Sequence, residues 1–276
     1  MKKWLLYALA AVGKSGPNPA KLNLPIWWEA GPNFTLVGPG GPSTWAGTPS
    51  AATALNGESG FTGANTQPSL GPVIDGVSPV QFNNQGGSAF QYMQPIPSGL
   101  SANGAITQQG GTICQLLKLG SISTNHPGDF LLNDCSCSTQ VGPFALSYRK
   151  TGPGGGTAFL VAGAINSSSV QVVGEVGLPS TGLNVWLAVF MRMSGNTRRG
   201  LIDIRVGRGA FTNIGAWDSF PSPSYLNGAY SVGERYVVQG INGGILQHIT
   251  TPDDLSDADC NMIYDYWKKT YPSAGL

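Results

Sequence analysis

At 276 residues the chain is long enough for one large hydrophobic core, or one core with a small appendage. It holds 40 Gly and 20 Pro while 41% of its residues are hydrophobic, which excludes disorder and fits many short strands joined by tight turns. Charged residues make up only 11% and the net charge is +1, so no basic field exists to hold nucleic acid. Such low charge also leaves little colloidal repulsion, as in chains kept soluble by assembly and in glycine-rich extracellular domains.

The chain opens with MKKWLLYALAAVGKSG, where Lys2 and Lys3 precede an apolar run from Trp4 to Val12. The run is short for a membrane span and has the layout of a signal peptide. It is read as an uncleaved apolar helix, with Trp4, Leu5, Leu6, Leu9 and Val12 as the candidate assembly anchor. Residues 14–25 form a proline-interrupted linker. This divides the chain into an N-terminal segment, 1–25, and one domain, 26–276.

Ile26 to Ala30 reads as an aromatic strand, and 31–72 as loop with few apolar anchors. Alternating strands are then expected at 79–83, 89–93, 113–119, 130–132, 144–148, 158–162 and 170–176. Leu183 to Met191 is apolar on both faces apart from Asn184, so it should be a central strand with Trp186 in the core. Leu201 to Val206 alternates, with Asp203 and Arg205 expected on a wet face as a weak pair. Short strands at 230–232 and 236–238 precede the best-formed unit. There Gly243 and Gly244 open a strand through Ile249, and Pro252, Asp253 and Asp254 break it. A helix then starts at the N-cap Ser256, with Asp259 in the capping-box position. Cys260, Ile263, Tyr264, Trp267 and Tyr271 follow at helical spacing, and Pro272 stops the helix.

The chemistry-bearing residues are sparse. The only Glu are at 29, 58, 175 and 234, and none has a carboxylate two or four residues away, which counts against a glycanase pair. Neither His126 nor His248 sits in a nucleophile motif. Catalysis is therefore not expected, nor is a cofactor. Cys135 and Cys137 are too close for a zinc-ribbon pair. With Cys114 and Cys260 they read as free core thiols, and disulfide pairing stays open. Asp129, Asn133 and Asp134 flank the strand at 130–132 and are the weak calcium candidates, turn formation being their plainer use. For sugar binding the candidates are Trp217, Asp218, Phe220, Tyr225 and Asn227, aromatics and polar partners in one Ser/Pro/Gly-rich loop. Trp27, Trp28 and Trp267 pattern as core.

Several stretches together resemble the concanavalin A-like, or laminin G-like, jelly-roll domains. At the C-terminal end, Gly244, Ile245, Ile249, Leu255, Ser256, Asp257, Ala258, Asp259, Tyr266, Trp267 and Tyr271 match that family's strand, loop and helix. Its usual strand Glu is replaced by Gln247 or His248. Val232-Gly233-Glu234-Arg235 resembles the strand before this unit. Trp28, Trp45, Gln67, Pro68, Gly76, Val80 and Phe82 stand in the order of the family's opening. The resemblance implies an all-β, two-sheet antiparallel jelly-roll sandwich with a short N-terminal helix and one C-terminal helix. The family serves lectins, adhesion modules, glycanases and bacteriophage particles. The leading expectation is a non-enzymatic structural protein of a bacteriophage virion, in the capsid decoration, collar or tail-fibre class. Its partners would be other virion subunits and a host surface glycan, in a homo-oligomer. The alternative is a secreted or cell-surface carbohydrate-binding module.

Overall fold

The computed structural model describes residues 16–22, 24, 26–30, 34–37, 41–45, 54–59, 69–83, 91–96, 110–120, 129–135, 144–150, 158–165, 171–178, 184–194, 201–216, 229–233 and 242–276. In chain order their strands begin with β1 (Ile26–Glu29), β2 (Phe34–Val37), β3 (Gly41–Trp45), β4 (Ala54–Ser59), β5 (Ser69–Leu70) and β6 (Val80–Asn83). Next come β7 (Gln91–Ile96), β8 (Gly110–Leu119), β9 (Asp129–Cys135), β10 (Phe144–Lys150), β11 (Ala158–Ile165) and β12 (Gln171–Gly177). The last are β13 (Trp186–Ser194), β14 (Leu201–Val206), β15 (Thr212–Ala216), β16 (Ala229–Gly233) and β17 (Asn242–Thr251), followed by one α-helix, α1 (Asp257–Thr270).

Two antiparallel sheets form a β-sandwich. One has the order β15-β14-β13-β8-β17-β6-β5, and the other β12-β11-β10-β9-β16-β7-β4-β3-β2. In the first, β17 is central. It pairs along its length with β8, while its other edge is shared by β6, opposite Asn242 to Ile245, and β1, opposite Gln247 to Thr250. A bulge between Ile245 and Gln247 separates the two halves.

This first sheet is covered on both faces. Side chains on a strand alternate between faces. Ile113, Leu117, Val189, Met191, Ile202, Ile204, Val80 and Phe82, all at 0% exposure, lie on the face turned from the helix. On the opposite face Cys114, Leu116, Ala188, Phe190 and Ile249 pack with Cys260, Ile263, Tyr264, Trp267 and Tyr271 of α1. Trp267 stacks on Phe190 with ring centroids 5.4 Å apart. Ser256 caps the helix in a complete capping box: its hydroxyl accepts from the Asp259 N–H, and the Asp259 carboxylate accepts from the Ser256 N–H.

Four expectations change. Asp203 and Arg205 do not face water but lie under the helix at 7% and 2% exposure. There Arg192, one strand over, binds Asp203 at 3.5 Å, Asp257 at 2.6 Å and the Leu255 carbonyl at 3.2 Å. Arg205 donates to Asn261 at 2.9 Å, and its guanidinium lies over the rings of Phe190 and Phe211, 4.3 and 4.8 Å from their centroids. Alternation was legible, but the helix that covers this face comes from 50 residues further along the chain, and its polar residues Asp257 and Asn261 receive the arginines. Second, β2 to β5 form where 31–72 reads as loop, because backbone pairing at a sheet edge does not require apolar side chains. Third, residues 16–24 do more than link: Pro19–Lys21 forms a 3-10 turn, and Pro19 and Leu24 are buried. Fourth, Asp129, Asn133 and Asp134 sit inside β9, paired with β10 and, at Asn133 and Asp134, with β16, rather than in loops beside a shorter strand. The expected N-terminal helix and its residues Trp4 to Val12 lie outside the described residues.

Candidate functional site

A single register row crosses the helix-bearing face of the first sheet beyond the end of α1. Trp186 of β13 stands opposite Lys118 of β8, Lys118 opposite Gly244 of β17, and Gly244 opposite Gln81 of β6. These residues form the floor of a cleft of about 560 Å³, walled by Pro72 to Asp75, Pro79, Gly120, Asn184, Gly243 and Ser273.

Local sequence explains the shape. Gly244 has no side chain, and a Cβ there would stand 3.3 Å from Trp186 Cη2 and 3.4 Å from Gln81 Oε1, so the row dips at its centre. Its neighbour Gly243 has φ +157°, and a Cβ there would lie 2.0 Å from the Lys118 carbonyl oxygen. Only glycine lets β17 approach β8 this closely. On one side Asn184, in the left-handed region at φ +63°, donates its N–H to the Leu119 carbonyl at 2.6 Å and turns the chain into β13. On the other, Asp75 and Gly76 at φ +47° and +85° make a type I′ turn between the bridged residues Ile74 and Val77.

The cleft has an apolar rim and polar groups on its floor. Val73 is 69% exposed and Trp186 is half-buried. Gln81 donates Nε2 to the Phe82 carbonyl at 3.1 Å, which leaves Oε1 toward Gly71 and Gly244 as an acceptor. The Asp75 carboxylate is occupied: it accepts from the Ser273 N–H at 2.8 Å and the Ser273 hydroxyl at 2.6 Å. An indole face with amides and an ammonium beside it can stack an apolar ligand surface while bonding hydroxyl or anionic groups.

Two other polar clusters are structural. Gln247 Oε1 accepts from Trp267 Nε1 at 2.7 Å and Trp27 Nε1 at 3.1 Å; its Nε2 donates to Glu29 at 2.5 Å and the Tyr271 hydroxyl at 3.1 Å. Tyr266 and Tyr271 also donate to Glu29, at 2.8 and 3.3 Å. Burial raises the Glu29 pKa, and these two phenols partly offset it. On the opposite face of the sheet Gln115 donates to His248 Nδ1 at 2.9 Å, so that nitrogen is unprotonated, and His248 Nε2 donates to Thr250 Oγ1 at 2.9 Å. Burial pushes His248 down to about 3. Cys114 and Cys260 are buried free thiols that meet between sheet and helix, and burial holds the Cys114 thiol well above its ordinary pKa.

Of the residues expected from sequence, Trp27 and Trp267 are in the core, and Trp186, expected there too, is half-buried, packing against that core while lining the cleft. Trp217, Asp218, Phe220, Tyr225 and Asn227 lie outside the described residues. The strand before them ends at Ala216, paired with Leu201, at the end of the sheet away from the cleft. The described residues hold no group of three or more His, Cys, Asp or Glu suited to a metal ion. Lys118, Gln81 and Trp186 were not singled out as a site because they come together only across strands. The local signals were Asn184, the lone polar residue in an apolar run, and the Gly243-Gly244 pair.

Solved structures share this architecture. The binding domain of botulinum neurotoxin DC in complex with rat synaptotagmin II has a TM-score of 0.59 at 12% identity, covering 88% of this chain and 51% of that one. A structure concerning cell entry of botulinum neurotoxin type C, dependent upon interaction with two ganglioside molecules, gives 0.54 at 11% identity, covering 87% and 50%. The chain thus spans about half the length of these toxin chains. At such identities the likeness is one of fold, the two-sheet β-sandwich. No protein-family model matches the chain, and no curated protein matches it in sequence.

Proposed function

We propose that this chain is a non-enzymatic carbohydrate-binding module that holds a glycan in the Trp186 cleft. One observation carries the reading: the row Trp186, Lys118, Gly244, Gln81 sets an indole, an ammonium and an amide around a glycine-floored trough. Sugar rings offer an apolar face for the indole and hydroxyls for the flanking groups. Among the described residues the one carboxylate lining the cleft, Asp75, has both oxygens engaged by Ser273, so these residues set no acid and base pair toward the trough. The similar toxin domains support a recognition role, one being bound to synaptotagmin and another concerned with gangliosides, lipids whose headgroups are glycans. An extracellular or cell-surface setting goes with this reading. The virion role expected from the sequence uses the same sandwich, but its anchor falls in residues 2–13, and nothing in the described residues favours it.

Glycan-array screening of the intact protein tests the reading. Binding should fall at least about tenfold in Trp186→Ala and stay unchanged in Trp217→Ala. No glycan binding, or binding indifferent to Trp186→Ala, would overturn the cleft as the site. Loss in Trp217→Ala alone would move the site to the Ser/Pro/Gly-rich stretch that holds Trp217.

A further inference from the structure

Among the described residues Lys118 is the one cation lining the cleft, and its ammonium makes no ion pair with any of them. Its row neighbours supply no counter-charge, since one is the Trp186 indole and the other is Gly244. The carboxylate among the described lining residues, Asp75, is clamped by two hydrogen bonds to Ser273. Lys118 is half-buried. A cation fixed beside a stacking surface and lacking a partner is completed by an anion arriving with the ligand. Across two strand spacings, roughly 10 Å away, Gln81 Oε1 presents the opposite polarity, an acceptor. A ligand that fits both ends carries an anionic group at one end and a hydroxyl donor at the other.

We propose that the cleft selects glycans bearing a carboxylate, with the carboxylate on Lys118, the ring on Trp186 and a hydroxyl donating to Gln81. This rests on the reading of the cleft as a glycan site. Lys118 is then the specificity-determining residue, while Trp186 supplies affinity common to acidic and neutral sugars.

The test uses the full chain and a panel in which every carboxylate-bearing glycan is paired with its carboxyl-reduced form, followed by calorimetry on the best pair. Wild type should bind the acid form about tenfold more tightly at low salt, and 0.5 M sodium chloride should shrink that ratio. Lys118→Met should bring the two forms within about twofold of each other, chiefly by weakening the acid form. Equal binding of both forms by wild type overturns the selection and leaves the glycan site standing. A preference that survives Lys118→Met overturns the role of Lys118. Binding to neither form overturns the glycan site itself.

Discussion

Ser273 gives both its backbone N–H and its hydroxyl to the carboxylate of Asp75, 198 residues earlier in the chain. This clamp fixes the Ile74–Val77 turn, one wall of the cleft, to the segment that follows α1. Asp75→Ala should therefore loosen the wall while leaving the core intact. We expect a stability loss of about 1 kcal/mol by urea titration, since both residues are exposed, together with a several-fold loss of glycan affinity. Unchanged affinity would mean that the turn is not part of the binding surface.

The two glycines of β17 should respond differently. Gly243→Ala places a methyl 2.0 Å from a backbone oxygen at φ +157°, and a loss of at least about 3 kcal/mol is expected. Gly244→Ala meets only the tip of Trp186 and neighbouring side chains at 3.3 Å or more. Its urea midpoint should stay close to wild type, with glycan binding reduced because the trough is partly filled.

Gln247 serves two indole donors and donates to a carboxylate and a phenol at once. Gln247→Leu strands the Trp27 and Trp267 N–H groups and removes the donor to Glu29, so about 3 kcal/mol or more should be lost. Gln247→Glu keeps the acceptor but sets two carboxylates against each other. Its deficit should shrink when the pH is lowered from 7 to 5, as one of them takes up a proton. A deficit that does not change with pH would count against this arrangement.

His248 makes folding acid-sensitive. Unfolded, it ionises near 6.5; folded, only near 3, so the unfolded chain binds the extra proton between these values. Stability from this group is complete above pH 6.5 and declines by up to about 1.4 kcal/mol per pH unit as the pH falls toward 3. Glu29 works in the opposite direction, because its raised pKa lets the folded state take up a proton first as the pH drops below the carboxylate's entry into its titration range. The difference between wild type and His248→Gln isolates the histidine. That difference should vary with pH between 6.5 and 3 and level off above it.

The closing unit was the most legible part of the chain. Ser256, Asp259 and the spacing of Cys260, Ile263, Tyr264 and Trp267 are local signals, and the helix forms on them. What the helix would cover was not legible, because alternation in β14 distinguishes two faces without saying which is wet. Arg192, Asp203 and Arg205 were thus buried by an element far along the chain. Trp186 illustrates the same limit: an apolar run shows that a strand is central, but not that its first residue projects past the end of the covering helix. The cleft row takes one residue from each of four strands, and no spacing in the sequence marks such a set.

The position of β17 has a consequence for how the chain is made. Every other strand of the first sheet leaves the ribosome before it, yet β17 stands between β8 on one side and β6 and β1 on the other. Until residues 242–251 emerge, β8 and β6 have bare edges facing a missing neighbour, and the cleft floor has no centre. Closure must then join Gly244 to Gln81 and Ile249 to Trp27 across most of the chain, the kind of non-local pairing that makes folding slow. During synthesis the half-built sheet is exposed to edge-to-edge association, so aggregation of nascent chains, rather than of the finished fold, is the hazard this topology carries.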